Sequence, residues 1–200
     1  MYGLPHTTEV KRPLPKAQLY KRLDWKPSQR DGFDAAVARL DFTHYIAPKT
    51  LPAIAEGAEV KAIFVVGVSL KTRDIDLKNI TLLAKSIPQR IVYALRYEDS
   101  VRLAVYHDRL FTAPWLPEDG AILPLVGINL DAIWENIVTH IGNFSVESDN
   151  SLSEQIAADN ERARLEAQIS SLEKKMFAER QPRRKRELYS EIKELKKRIN

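Results

Sequence analysis

The fold is decided by residues 59–71, which read Glu-Val-Lys-Ala-Ile-Phe-Val-Val-Gly-Val-Ser-Leu-Lys. The centre of this stretch is β-branched, apolar and almost continuous, which is typical of a central strand covered on both faces. Residues 74–86 then carry apolar side chains at helical spacing, and Pro88 ends that helix because proline lacks an N–H. The stretch therefore predicts a buried strand followed by a helix.

Two further strands are predicted directly after this helix. Residues 90–97 and 101–106 are rich in β-branched and aromatic side chains, and the residues between them have turn chemistry. These runs predict a β-hairpin, and residues 110–115 predict another short strand. The order strand, helix, strand, strand, with helices on either side, indicates a mixed sheet in an α/β or α+β domain.

The N-terminal part is predicted to be helical after an extended start. Helices are expected over residues 16–23 and 29–40, with Ser28 as the N-cap of the second. Residues 42–51 are expected to be irregular. The second helix is predicted from apolar residues spaced by four and three, as on one helix face. These residues are Phe33, Val37 and Leu40.

The last helix of the domain follows a loop rich in proline and glycine. It is predicted to begin at Asn129 or Asp131, either of which is a good N-cap. Gly142 is expected to follow its last residue, in the position that glycine commonly takes there. Aromatic side chains are expected in the core because large apolar residues are preferentially buried. They are Phe64, Tyr93, Tyr97, Tyr106 and Trp134.

The last fifty residues predict two antiparallel helices. We expect a mixed α/β domain over residues 1–144, a polar linker over 145–152 and a coiled-coil-like helical hairpin over 153–200. Pro182 cannot lie inside a straight helix but is tolerated in a first turn, so the chain is expected to reverse near this residue. Each helix carries an apolar seam spaced by four, three and four residues. The seams are Leu165, Ile169, Leu172 and Met176, and Leu188, Ile192, Leu195 and Ile199.

A hairpin with such thin seams is marginal by itself in water. We therefore expect it to pack on the domain, to pair with a second copy of the chain or to bind another protein. The residues predicted to meet such a partner are Leu188, Ile192, Leu195 and Ile199.

The predicted tip of the hairpin concentrates positive charge, with five basic residues among seven. Such a cluster can hold a phosphate backbone, or it can be a solvated surface. Charge is uneven elsewhere as well, because residues 1–30 carry +5, residues 31–150 carry −5 and residues 151–200 carry +4. The basic ends either dock on the acidic middle or meet an anionic partner such as nucleic acid. The nucleic-acid candidates are Arg180, Arg183, Arg184, Lys185 and Arg186.

Composition excludes several classes of protein. The chain has no cysteine, which excludes disulfides and thiolate metal sites. No apolar run approaches the ~20 residues that a membrane span needs, and residues 1–11 have no apolar segment of the signal-peptide kind. We therefore expect a cytoplasmic protein without membrane contact.

Short motifs in a fixed order carry a resemblance that covers nearly the whole chain. They are Leu4-Pro5-His-Thr-Thr-Glu9, Leu14-Pro15-Lys16, Glu59-Val60-Lys61, Ser86-Ile87-Pro88, Leu125-Val126-Gly127-Ile128-Asn129-Leu130, Ala178-Glu179-Arg180-Gln181 and Arg184-Lys185-Arg186-Glu187-Leu188. With these motifs the chain resembles a bacterial family of unknown function, domain-of-unknown-function family four-three-nine-one. It departs from the family pattern at Pro182. The genes of this family tend to lie near DNA methyltransferase and helicase genes, so the resemblance implies an accessory component of a DNA-modifying or phage-defence, restriction-like complex.

Nucleases of the restriction-endonuclease-like fold place an acid-x-Lys motif on a strand to hold Mg²⁺. The long strand ends in Ser69-Leu70-Lys71, so serine occupies the acid position. The nearby carboxylates Glu56, Glu59, Asp74 and Asp76 are not at the required offset. The histidines His6, His44, His107 and His140 are scattered.

The sequence therefore predicts no catalytic, cofactor-binding or metal-ligating residue. It favours a non-enzymatic binding protein that acts through protein contacts of its C-terminal hairpin. DNA binding by the basic tip is the first alternative. A Mg²⁺-dependent nuclease of the restriction-endonuclease-like fold, active or degenerate, is the second.

Overall fold

Residues 1–199 are described by a computed structural model. The chain divides into two compact units after Ser145, one residue beyond the predicted end of the α/β domain. The first unit holds a sheet and its helices. The second holds the helical hairpin. No helix in residues 1–199 combines the length and the apolar character that crossing a bilayer requires.

The sheet of the first unit is mixed. Among the described residues it has seven strands in the order β1-β2-β3-β4-β5-β6, and β7 pairs with β5. β3 and β4 are parallel, whereas the other neighbouring strands are antiparallel. The strands are β1 (Glu9–Pro13), β2 (Val37–Ile46), β3 (Ile63–Leu70), β4 (Arg90–Tyr97), β5 (Ser100–His107), β6 (Arg109–Thr112) and β7 (Leu116–Pro117).

Four α-helices accompany the sheet in the first unit, and two form the hairpin. The helices are α1 (Lys16–Arg22), α2 (Pro27–Ala36), α3 (Lys78–Ser86), α4 (Leu130–Gly142), α5 (Leu152–Ala178) and α6 (Pro182–Ile199). Helix α3 connects the parallel pair β3 and β4, as a parallel connection requires. The predicted mixed α/β fold with a C-terminal antiparallel helical hairpin is confirmed.

Strand β3 is buried on both faces, as its apolar sequence predicts. Its residues Ile63, Val65, Val66 and Val68 are at most 1% exposed. One face of the sheet packs against α1, α2 and α3, and its core includes Leu19, Phe33, Ile80, Leu83, Val66, Tyr93 and Leu95. The predicted β-hairpin of β4 and β5 and the short β6 are confirmed as well.

The region after α2 differs from the prediction. Helix α2 ends at Ala36, and residues 37–46, predicted as the end of a helix and an irregular segment, form the long strand β2. Phe33 and Val37 are both fully buried and are four residues apart, which is the spacing of one helix face. Phe33 lies on helix α2, however, and Val37 lies on strand β2. Pairing with β3 and a register shift between Phe42 and His44 explain the loss of simple alternation.

Two predicted helix ends are displaced. Helix α2 begins at Pro27 rather than after Ser28, and the Gln29 side chain accepts a hydrogen bond from the Lys26 N–H at 2.8 Å. At the end of α4 the left-handed residue is Asn143, with φ of 52°, while Gly142 remains helical. Asparagine tolerates this conformation because its short polar side chain bonds locally.

Asp131 connects the start of α4 to the segment that enters β3. Its carboxylate accepts hydrogen bonds from the N–H groups of Ala58 at 2.6 Å, Val60 at 2.7 Å and Glu59 at 3.2 Å. Gly57 leaves room for this carboxylate, since a Cβ there would lie 2.1 Å from Asp131 Oδ1. Asn129 caps the same helix through a hydrogen bond from the Ala132 N–H at 2.9 Å.

Candidate nucleic-acid interface

The inner faces of α5 and α6 form one apolar seam. It contains the two predicted rows of residues, with Leu165, Ile169, Leu172, Ile192 and Leu195 buried and Met176, Leu188 and Ile199 partly buried. The residues predicted to meet a partner protein therefore contact α5 within the hairpin. A second protein could reach only the edges of Leu188 and Ile199, and partner binding through these four residues stays a prediction.

The chain reverses between α5 and α6 because one carboxylate holds the turn. Glu179 accepts hydrogen bonds from the N–H groups of Arg180 at 2.8 Å and Gln181 at 2.9 Å. Pro182 is the first residue of α6, where its missing N–H leaves no bond unmade. The hydrogen bond from the Gln181 N–H is the main cause that lowers the pKa of Glu179. Burial opposes this effect, and the Arg180 N–H and the Arg184 charge add to the lowering.

The five basic residues of the tip fall into two groups. Arg183 pairs with Glu187 at 3.4 Å, and Arg184 pairs with Glu179 at 3.7 Å. In the described part of the chain, no carboxylate lies within ion-pair distance of Arg180, Lys185 or Arg186. These three cations are exposed and available to an external anion.

Two aromatic side chains stand out from the hairpin near this tip. Phe177 is 77% exposed and Tyr189 is 60% exposed. Each directly follows a seam residue, namely Met176 on α5 and Leu188 on α6. Because the seam residues point toward the other helix, the residues that follow them point away from it. The rings of Phe177 and Tyr189 therefore lie outside the apolar seam.

Phe177 and Tyr189 lie on the same side of the hairpin. Helices α5 and α6 run in opposite directions. Seen from one end of the hairpin, successive residues therefore advance clockwise in one helix and anticlockwise in the other. The residue after a seam residue consequently points to the same side of the hairpin in both helices. The ion pair between Glu173 and Lys196, at 2.8 Å, joins two such residues and crosses between the helices on this side.

The unpaired cations lie close to the tyrosine of this face. Lys185 and Arg186 precede Tyr189 by four and three residues, one helical turn, and therefore neighbour it on the surface of α6. The face at the tip thus combines two exposed rings with unpaired positive charge. The sequence predicted the cations but not the aromatic residues. Their positions directly after seam residues would have indicated that both rings point away from the seam.

The residues considered for a nuclease are not brought together. Lys71 Nζ donates a hydrogen bond to the main-chain oxygen of Asp34 at 2.6 Å. Glu59 precedes β3 and Asp74 follows it, so a strand of eight residues, roughly 26 Å long at about 3.3 Å per residue, lies between them. Within residues 1–199 no three His, Asp or Glu side chains are arranged to hold a metal ion.

The histidines also occupy separate environments. His6 pairs with Glu9 at 2.9 Å on the surface, and His140 is exposed on α4. His107 lies beside Trp134. The Trp134 Nε1–H donates a hydrogen bond to His107 Nδ1 at 3.0 Å. His44 is 2% exposed, and burial lowers its pKa to about 4, so its ring is neutral at pH 7.

The arrangement defines a mixed α/β protein with a helical hairpin whose tip presents unpaired cations beside exposed aromatic rings. The chain belongs to the family described as domain of unknown function (DUF4391), whose model matches residues 2–199. The resemblance found from the sequence motifs is thereby confirmed. No curated protein and no solved structure matches the chain.

Proposed function

We propose that this protein binds DNA through the tip of its C-terminal hairpin and prefers DNA with unpaired bases. Arg180, Lys185 and Arg186 would contact phosphates, and Phe177 and Tyr189 would stack on bases. The observation that carries the proposal is that exposed rings and unpaired cations share one end of the hairpin. Base stacking on aromatic side chains beside positive charge is how many proteins hold single strands.

The wider role that we propose is that of an accessory component in a DNA-modifying or phage-defence complex. The hairpin tip would hold the DNA while other proteins of the complex supply chemistry. Burial of Ile192 at 5% exposure and Leu195 at 8% disfavours the seam as the primary contact surface, whereas the tip is open to solvent. Purification of the tagged protein from its native host, with identification of what accompanies it, tests this role.

DNA binding is tested with the full chain by fluorescence anisotropy on a labelled single strand and on the matching duplex over a range of salt concentrations. The double variant Lys185→Gln/Arg186→Gln removes two unpaired cations. We expect it to weaken binding and to reduce the slope of log affinity against log salt by about 1.4, because each phosphate contact on a single strand contributes about 0.7.

The matched control is Arg183→Gln/Arg184→Gln, which removes the same charge from the same tip. Because Glu187 and Glu179 already pair with these arginines, we expect a clearly smaller change in slope. Equal losses in the two double variants would show that only net charge matters, which contradicts the proposed contact. Absence of binding by the unaltered chain would overturn the proposal outright.

The aromatic contribution is tested separately with Tyr189→Ala and Tyr189→Phe. We expect the alanine variant to lose about 1–3 kcal/mol of single-strand affinity and the phenylalanine variant to lose little, because stacking requires the ring alone. Duplex affinity should change less in both. A preference of the unaltered chain for duplex would contradict the assigned role of the rings.

A further inference from the structure

The first unit carries a groove on the face of the sheet that packs against α1 and α3. Two adjoining cavities of about 710 and 610 Å³ form it and share a common wall. Each volume lies within the range of small-molecule sites, ~300–1,000 Å³. The shared wall consists of Phe64, Ile87, Pro88, Gln89, Ile91 and Tyr93.

Tyr93 belongs to this wall and carries a hydroxyl without a partner. Its side chain is 1% exposed, and within the described chain its hydroxyl group has no hydrogen-bond partner. Buried polar atoms are nearly always paired in folded proteins, so an orphan of this kind calls for an explanation. Burial raises the pKa of Tyr93, which keeps the hydroxyl protonated and able to donate.

Aromatic rings flank the same wall. Phe64 lies between Tyr45, at 5.1 Å between ring centroids, and Phe42, at 6.0 Å. Tyr106 lines the first cavity with the Lys85 ammonium 5.8 Å from its ring centroid. Phe64, Tyr45 and Tyr106 are only half-buried, so parts of these rings are open to an occupant.

The rim of the groove is positively charged. Lys85 lines the first cavity, and Arg12 and Arg22 line the second. Lys61 and Arg90 also line the first cavity, but Lys61 pairs with Glu56 at 3.8 Å and the Arg90 guanidinium lies 3.3 Å from His107 Nδ1. Glu59 is the acidic residue of the lining, and it lies 3.7 Å from Arg90 while 79% of its side chain is exposed. Lys85, Arg12 and Arg22 have no carboxylate within ion-pair distance among residues 1–199. The rim therefore complements an anion.

We propose that this groove binds an aromatic anion of the nucleotide class. The planar ring would pack against Phe64 and Tyr106, the polar edge of the ring would bond to the Tyr93 hydroxyl, and the phosphate would lie near Lys85. An aliphatic anion would satisfy the rim and the apolar wall but would leave the hydroxyl unpaired. A free phosphate would satisfy the rim alone. A ring with a hydrogen-bonding edge and an attached phosphate uses all three features.

The test is isothermal titration of the full chain with AMP, GMP, CMP and UMP, with adenosine, ribose 5-phosphate and decanoate as partial ligands. We expect at least one nucleotide to bind at least tenfold more tightly than each partial ligand. Binding of decanoate or ribose 5-phosphate as tight as that of every nucleotide would overturn the proposal. Failure of all four nucleotides to bind would overturn it as well.

Tyr93→Phe removes only the hydroxyl and keeps the ring. We expect it to weaken nucleotide binding about tenfold, the loss of one buried hydrogen bond, while the Tm without ligand stays the same or rises. A lower Tm would show that the hydroxyl has a structural partner, which removes the basis of the proposal. Lys85→Gln should weaken nucleotide binding and leave adenosine binding unchanged, and a loss of both would contradict the assigned position of the phosphate.

The groove and the hairpin tip are separate proposals. The Lys185→Gln/Arg186→Gln variant should bind mononucleotides as the unaltered chain does. Tyr93→Phe should retain the salt-dependent binding of single-stranded DNA. If the tip variant lost mononucleotide binding, the groove would not be the site.

Discussion

The core of the first unit and the seam between α5 and α6 bury apolar side chains to different depths. The first unit encloses Phe33, Ile80 and Val92 completely, each at 0% exposure, whereas the most buried residue of the seam between α5 and α6, Leu165, is 4% exposed. The first unit has a sheet with helices packed on it, while the hairpin has one row of contacts between two helices. The core of the first unit is therefore expected to contribute more packing energy per side chain than the seam between α5 and α6.

The largest expected effect is a loss of packing in the first unit. Phe33→Ala should lower the free energy of unfolding by about 3–5 kcal/mol, because it removes a fully buried aromatic side chain and leaves a cavity. Urea denaturation measures this loss, and the fluorescence of Trp25 reports on it locally because its ring lies 5.2 Å from that of Phe33. A loss below about 1 kcal/mol would contradict the contrast between the units.

A smaller effect is expected in the hairpin. Ile192→Ala should destabilise it by about 2 kcal/mol, at the low end for a buried isoleucine, because water can reach the edge of a two-helix seam. Hydrogen exchange should show faster exchange of the α5 and α6 amides and unchanged exchange of the sheet. Tyr189→Ala, on the exposed side of α6, is the control and should leave exchange unchanged. Equal acceleration in the sheet would mean that the two units unfold together.

The smallest effect is a pH dependence of the turn at the hairpin tip. The pKa of Glu179 is lowered in the folded chain, so its carboxylate stabilises the turn fully above the ordinary glutamate pKa of about 4.5. This contribution is lost as pH falls through the lowered value. The titration is expected to fall roughly between pH 5 and pH 2. Over this range, helicity measured by circular dichroism should decline more in the unaltered chain than in Glu179→Gln. Identical profiles would show that the carboxylate does not hold the turn.

Much of the fold could be predicted because its signals are local. The continuous apolar sequence of β3, the turn after β4 and the seam spacing of α5 and α6 each depend on residues close together in the chain. β2 could not be predicted in this way, because Val37 and Leu40 follow Phe33 at helical spacing and the register shift near His44 hides the alternation. Pairing with β3, which is distant in sequence, decides that segment.

The candidate sites were predictable to different degrees. The tip cations lie within seven residues of sequence and could be predicted from it, whereas the division into paired and unpaired cations depends on where each side chain points in the folded hairpin. The groove could not be predicted, because Tyr45, Tyr93 and Tyr106 come from three different strands. The unpaired hydroxyl of Tyr93 is a property of the folded core and leaves no mark on the sequence.

The carboxylate of Asp131 has a consequence for how the first unit assembles. It joins the segment that leads into the central strand β3, at Val60, to helix α4, which begins 70 residues later at Leu130. The strands between these two points are therefore enclosed by one long-range contact. The hydrogen bonds that hold the segment before the central strand are complete only when that helix is in place. Folding of this unit is therefore expected to be all-or-none, with no stage at which the sheet is complete and the helix is still unformed.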